Sequence, residues 1–286
     1  MNAIAPPPGV STGLPQQLSL GFARRHGGQT FLQRQRVAYP FHVGRALQMA
    51  GDPPGFCTVY LQSCAGGIFQ HDRLLQSLQL ADDAQAHVTT GASTIVHSMD
   101  NGHAEQHLLL AAGANTFAEY LPDPLILFPR SRLDTRLVIR AHASASVIAC
   151  ESFLLHDPTA RNEPFHWLRT ETRVEDEAGV LLAADRFRVE GETIAARTPG
   201  VTGAHVAQAT LMVVHRADPP RVLAALRFSL RPDGPGYAGA SLLPNGAGAW
   251  LRVLAPDAIA LRAVIHDAWT AVRTTLTGTP PGVRRK

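Results

Sequence analysis

The chain has 286 residues, 45% apolar and 17% charged, and its 26 basic and 23 acidic side chains leave a formal charge of +3. That is an ordinary globular mixture with room for a sizeable core; its basic residues form no dense block of the kind that marks a nucleic-acid surface, and no run of about 18 apolar residues offers a membrane span. Every basic residue except Lys286 is arginine, which excludes a Walker-type phosphate loop, a Schiff-base enzyme and a lysine general base, because each needs a positioned ammonium.

Residues 1–16 hold Pro6, Pro7, Pro8 and Pro15 with little to bury, and are expected to be a flexible lead. The start, Met-Asn-Ala-Ile-Ala-Pro-Pro-Pro, has neither a basic region nor a hydrophobic signal core, so a soluble cytoplasmic protein is expected. From there, short β-branched or alternating runs recur between Gly, Pro and Asp at intervals of about 8 to 12 residues, the pattern of an all-β fold. Strands are predicted over 58–62, 74–80, 86–90, 107–111, 116–121, 137–140, 146–150 and 180–187.

A weak repeat runs through these strands. Leu80-Ala-Asp-Asp-Ala84, Leu110-Ala-Ala-Gly-Ala114 and Ile139-Arg-Ala-His-Ala143 each place a small-residue turn between an outgoing and a returning strand. The fold expected is mainly β, either layered antiparallel sheets or a solenoid-like stack of hairpins, with one or two C-terminal helices. The clearest helix runs from Pro256 to Leu276, where apolar residues recur at three- and four-residue steps between Asp257 and Gly278. A shorter candidate covers 220–230, although 222–226 also reads as a buried strand. Residues 17–277 are expected to form one domain, and 278–286 a flexible basic tail.

Chemistry-bearing groups are sparse. Thirteen histidines include His71, His87, His97, His103 and His107 in one region, which invites a metal reading. In a strand, however, His103 and His107 stand about 13 Å apart, too far for one ion. There is no His-Glu-x2-His and no zinc-like spacing. Ser152, His156 and Asp157 are too close in sequence for a triad, and Asp157-Pro158 reads as a turn. Cys57, Cys64 and Cys150 form no Cys-x2-Cys pair; their odd number fits a reducing compartment and buried thiols, with Cys64 at a buried strand end. Glu119 and Glu151 occupy equivalent places after two of the repeat turns, where they would form either an acidic line across the stack or solvated edge charges.

The most distinctive stretch is Gly66-Gly67 with Asp72 placed to bond the turn's amides, followed by Thr89-Thr90 and then Glu119-Tyr120-Leu121-Pro122-Asp123-Pro124. With Tyr39-Pro40 ahead of it, this ordered set resembles the urease accessory protein family UreD, also called UreH, over roughly residues 30 to 151. Beyond that the likeness thins to Leu243-Pro244, Trp269 and Arg273. The resemblance implies a β-rich protein without enzymatic activity that binds UreF, joins UreG through it and docks on apo-urease during nickel insertion. It implies no tightly bound cofactor and nickel only in transit. Gly66, Gly67, Pro122, Asp123 and Pro124 carry over as turn-shaping residues; Asp72, Thr89, Thr90, Glu119 and Glu151 carry over as candidates for a polar passage or a partner interface. Two departures mark a divergent branch: His156-Asp157-Pro158 stands where the family has Gly-Arg, and Thr94-Ile95-Val96-His97 stands where it has a lysine. The competing reading is a β-rich metallohydrolase or cupin-like enzyme using His87, His97, His103 and His107.

Overall fold

The small-residue turns are arches between two sheets, so the strands on either side of each turn do not pair with each other. The computed structural model describes residues 16–26 and 28–282. The first strands are β1 (Leu18–Arg24), β2 (Thr30–Val37), β3 (Phe41–Val43), β4 (Cys57–Ser63), β5 (Arg73–Leu80), β6 (Gln85–Thr90) and β7 (Thr94–Val96). They are followed by β8 (Ala104–Ala112), β9 (Phe117–Leu121), β10 (Leu125–Leu127), β11 (Arg132–Ala141), β12 (Ser146–Leu155), β13 (Trp167–Glu175) and β14 (Leu181–Glu190). The C-terminal part holds α1 (Gly191–Ala195), β15 (Ala207–His215), α2 (Pro219–Ser229), β16 (Tyr237–Leu242), β17 (Gly248–Ala255) and α3 (Ala258–Thr277).

A seven-stranded sheet has the order β14-β13-β11-β8-β5-β1-β2, and a ten-stranded sheet has the path β16-β17-β15-β12-β9-β6-β4-β3, with β10 pairing β12 and β7 pairing β10. In the middle of both sheets neighbours are parallel: β5 with β8, β8 with β11 and β11 with β13 in the first, and β4 with β6, β6 with β9 and β9 with β12 in the second. The register sets Cys57 beside Ala86, Gln85 beside Phe117 and Phe117 beside Ser146, a step of about thirty residues each time. This is the period of the sequence repeat. Of the two expected architectures the solenoid-like stack is the one found, and its repeating unit is an arch whose strands pair with their equivalents in the next coil.

The arches form because their backbone groups are satisfied by the next arch. Gly113 N–H donates to the Leu80 carbonyl (3.0 Å), Asp83 N–H to Ala114 (2.8 Å) and His142 N–H to Ala112 (2.9 Å). Side chains repeat the pattern: Asp82 accepts from Ala114 N–H, and Ser144 from Asn115 N–H. Asp83 and Asn115 hold positive φ, which their short polar side chains tolerate best among non-glycine residues.

Between the sheets lies one apolar core, with Leu20, Phe22, Val59, Leu78, Val88, Leu110, Ile139 and Val147 among its members. A second core joins the other face of the ten-stranded sheet to α2 and α3 through Ile148, Leu211, Leu251, Val222, Leu226, Trp269 and Val272. Both helices have the ends their sequences specify. Asp257 caps α3 by accepting from Ala260 N–H, and Gly278 closes it in the left-handed conformation. Asp218 caps α2 ahead of Pro219-Pro220, so residues 222–226 are helical. Of the expected tail, residues 278–282 are described, and Gly282 lies so close to Ala50 that an added Cβ would meet its carbonyl oxygen at 2.5 Å. The N-terminal lead, apart from Gln16, and residues 283–286 lie outside the described residues.

Candidate functional site

The glycine turn sits between β4 and β5 against the rim formed by β7. Gly66 and Gly67 have φ of +77° and +151°, and a Cβ on Gly67 would lie 2.5 Å from the Ile95 carbonyl oxygen and 2.7 Å from His97 Nε2. This close approach lets Ile68 N–H donate to Ile95 and His97 N–H to Ile68. Asp72 does what its spacing suggests: its carboxylate accepts from Phe69 N–H at 2.8 Å. Pro122, Asp123 and Pro124 link β9 to β10. Asp123 is buried, its N–H donates to Thr90 Oγ1 at 2.8 Å, and its carboxylate lies 3.9 Å from Arg262 of α3.

Behind the glycine turn a cavity of about 760 Å³ opens between the sheets. Gln76, Gln106 and Thr135 line it from one sheet; Thr90, Tyr120 and Glu151 line it from the other. On strands buried on both faces, these polar groups interrupt an otherwise apolar interior. Glu151 accepts hydrogen bonds from Thr135 Oγ1 (3.3 Å) and from Thr172 Oγ1. Burial raises its carboxyl to about 6, against the opposing pull of those two hydroxyls. In register, Glu151 neighbours Thr210, and Thr210 neighbours Arg252, whose guanidinium pairs with Asp185 of the facing sheet. The Tyr120 phenol is raised by burial and by Glu151, which keeps it a neutral hydrogen-bonding group.

The other predicted carboxylate has a different setting. Glu119 is in register with Ile148, so Glu151, three residues further along β12, points to the opposite face of the sheet. The expected acidic line across the stack therefore does not form, and Glu119 is no edge charge either. It lies buried beneath α3, accepting from Trp269 Nε1 (2.7 Å) and Arg273 (3.4 Å), with His87 Nδ1 at 2.8 Å. Arg273 also reaches Asp52 at 2.7 Å and lies over the Phe56 ring, while His87 stacks on Trp269. Thr89 shares this face; its hydroxyl donates to the Leu121 carbonyl. The adjacent Thr90 points the other way, into the cavity.

The histidine region is dispersed. His87 faces α3, His97 stacks on Phe69 with ring centroids 4.2 Å apart, and His103 lies 3.4 Å from Glu105. His107 belongs to the other sheet, where burial first and Arg136 second lower its pKa. No group of three or more His, Cys, Asp or Glu residues is placed to hold a metal ion among the described residues. The geometry the hydrolase or cupin-like reading requires is not assembled there. Cys57 and Cys150 are buried as expected, but Cys64 is exposed, because it falls just past the end of β4 in the bend leading to Gly66. Asp157 does form a turn, accepting from the N–H groups of Thr159, Arg161 and Glu163.

Comparison with known proteins decides the lineage. The family model of the UreD urease accessory protein matches residues 15–286. The chain belongs to the UreD family. Among UreD relatives, "Urease accessory protein UreD 1" of Pseudomonas syringae pv. syringae (strain B728a) is 42% identical over 93% of this chain and 94% of the relative. The UreD 1 protein of Methylorubrum extorquens (strain PA1) is 40% identical over 99% and 95%, and the UreD protein of Cenarchaeum symbiosum (strain A) is 32% identical over 92% and 93%. The UreD match extends well past the region where the sequence motifs thin out, so the helices and the Trp269–Arg273 anchor fall inside it. Sequence reasoning missed Gln76, Gln106, Thr172, Asp185 and Arg252. The available signal was a polar residue at an inward position of an alternating strand, as with Thr135 between Leu133 and Leu137.

Proposed function

We propose that this chain is an accessory scaffold of urease maturation without catalytic activity of its own. In this reading it works in the cytoplasm, binds UreF, joins UreG through UreF, docks on apo-urease and assists insertion of nickel into the urease active site. The observation that carries the reading is the polar inter-sheet cavity behind the glycine turn. A metal ion in transit needs oxygen groups that replace part of its water shell and no closed cage that would retain it. Glu151 supplies a carboxylate, Thr90 and Thr135 supply hydroxyls, and Gln76 and Gln106 supply amides, set apart along the two walls. A nickel ion there would be cargo held by single, separated contacts.

The five polar candidates divide between two tasks. Glu151 and Thr90 line the passage. Asp72, Thr89 and Glu119 hold its frame: the first fixes the glycine turn at the rim, and the other two tie the wall to its neighbours. The accessory-protein names of the relatives support a helper's role over a catalyst's.

Co-expression with UreF, UreG and apo-urease, followed by pull-down on this chain and a urease assay, tests the proposal. Association with UreF and apo-urease, and loss of urease activation when the chain is omitted, are expected. A chain that ignores all three partners and retains metal through dialysis would overturn it.

A further inference from the structure

The outer face of the seven-stranded sheet carries its charges in rows. Along β11, β13 and β14 inward and outward residues alternate, and the outward positions hold seven arginines and four carboxylates. The register sets Asp134 of β11 beside Arg169 of β13, and Arg169 opposite Arg188 of β14; in the next row Arg136, Glu171 and Arg186 stand side by side. Three guanidiniums share Glu171: Arg136 at 3.1 Å, Arg173 at 3.5 Å and Arg186 at 2.6 Å. The carboxylates lie low. The side chains of Asp134, Glu171 and Glu175 are 15% exposed or less, whereas those of Arg169, Arg186 and Arg188 are 58%, 62% and 53% exposed. Solvent therefore meets guanidinium.

One pairing in this array works against folding. Arg169 and Arg188 are directly opposite on an antiparallel pair, where like charges are destabilising. Each finds its carboxylate on another side, Arg169 in Asp134 and Arg188 in Glu190 at 2.7 Å. Trp167 is the neighbouring outward residue of β13, and the Arg188 guanidinium lies over its ring, 5.0 Å from the centroid. Tryptophan and arginine are among the residues that carry most of the binding energy in protein interfaces.

We infer that this face docks an acidic protein surface, with a carboxylate of the partner seated between Arg169 and Arg188. Electrostatics selects the sign of the occupant. A carboxylate there turns a like-charge repulsion into a bridged pair, and planar guanidiniums take carboxylates two bonds at a time. A second copy of this chain set face to face would oppose arginine with arginine. The composition of the face selects a protein over a nucleic acid. A phosphate backbone is met by an unbroken basic stripe, and here the exposed Glu190 and the shared Glu171 interrupt the arginines. A protein surface offers separated carboxylates among neutral groups, and an aromatic ring among arginines is the kind of anchor such surfaces use. This inference is independent of the cavity and of the function proposed above.

Fluorescence anisotropy of a labelled oligoglutamate, titrated with the full-length chain at low and moderate ionic strength, tests it in wild type, Arg188→Glu and Arg34→Glu. Both substitutions make the same change of net charge, but Arg34 lies on β2 at the far edge of the same sheet. Arg188→Glu also sets opposite charges across from one another at Arg169, so its melting should stay at the wild-type value. The expected result is binding that weakens with salt, falls about tenfold or more in Arg188→Glu and changes by less than about threefold in Arg34→Glu. In the pull-down with UreF, UreG and apo-urease, Arg188→Glu should lose a partner that Arg34→Glu keeps. Absence of oligoglutamate binding, an equal loss in the two variants, or capture by Arg188→Glu of the same partners that wild type captures overturns the inference. So does tighter binding of a single-stranded DNA oligonucleotide of the same charge. A chain that binds oligoglutamate at this face and ignores all three partners would overturn the function proposed above and leave this inference standing.

Discussion

Glu119→Ala is the sharpest test of how the C-terminal helix is held. The Glu119 side chain has no exposed surface, and it accepts from Trp269 and Arg273 while facing His87. Its removal takes the Glu119 acceptor from a buried indole N–H, a loss of about 1–3 kcal/mol, and leaves Arg273 its contact with Asp52. Removing one partner of a buried ionic group destabilises by about 3–5 kcal/mol, so the two effects together place the loss near the upper part of that range. For a domain of this size a loss of about 4–5 kcal/mol lowers Tm by roughly 8–20 °C. Glu119→Gln retains an acceptor for Trp269 and loses the charge, and should fall between Glu119→Ala and wild type. Arg231→Ala breaks an exposed pair with Asp267 and is the control, expected to cost no more than about 1 kcal/mol. Thermal unfolding followed by circular dichroism and by tryptophan fluorescence reads all three. A Glu119→Ala protein within about 1 kcal/mol of wild type would refute the claim that this buried cluster anchors α3.

Three further outcomes are expected. Glu151 has its pKa raised on folding from 4.5 to about 6, so the folded state holds the proton more tightly; its contribution is present at low pH and is lost as pH rises through about 6. The difference in unfolding free energy between wild type and Glu151→Gln should therefore change by about 2 kcal/mol between the two pKa values and stay flat outside them; a flat difference throughout contradicts the burial argument. Gly67→Ala should lower Tm clearly, because its Cβ meets backbone at 2.5 Å, whereas Gly239→Ala, with open space at that position, should change it little. Thiol titration of the folded protein should show one fast group, Cys64, with Cys57 silent because burial pushes it up to about 11; rapid reaction of Cys57 would contradict its placement.

Much of the fold is readable in the sequence because strands and helix ends are written locally. The alternation marks the strands, the repeat of about thirty residues is the length of one solenoid coil, and Asp257 and Gly278 bracket α3. Arch and hairpin are not separable in this way. A turn such as Leu80-Ala-Asp-Asp-Ala84 does not state whether its flanking strands pair with each other or with the next coil; that choice is made by long-range contacts such as Asp83 N–H to the Ala114 carbonyl. Glu119 and Glu151 show the same limit. Their equivalent places after the turns suggested one face, but the register of β9 on β12 decides the matter, and it separates them. The anchor of Glu119, Arg273 and Asp52 joins residues more than 150 positions apart, beyond any local pattern. Cys64 lies one residue past the end of β4, which is enough to carry a side chain from a sheet into a bend.

The most direct test of the account is a plugged cavity. Gln106→Trp inserts a large ring between the sheets at a residue lining the cavity, on the sheet that faces Glu151. The variant should be assembled with UreF, UreG and apo-urease, and the nickel content and activity of the urease measured alongside its retention in the pull-down. The account predicts a complex that still forms and a urease that receives much less nickel. Full nickel loading through an intact complex would contradict it, and would leave the cavity as a feature of the fold with no part in metal delivery.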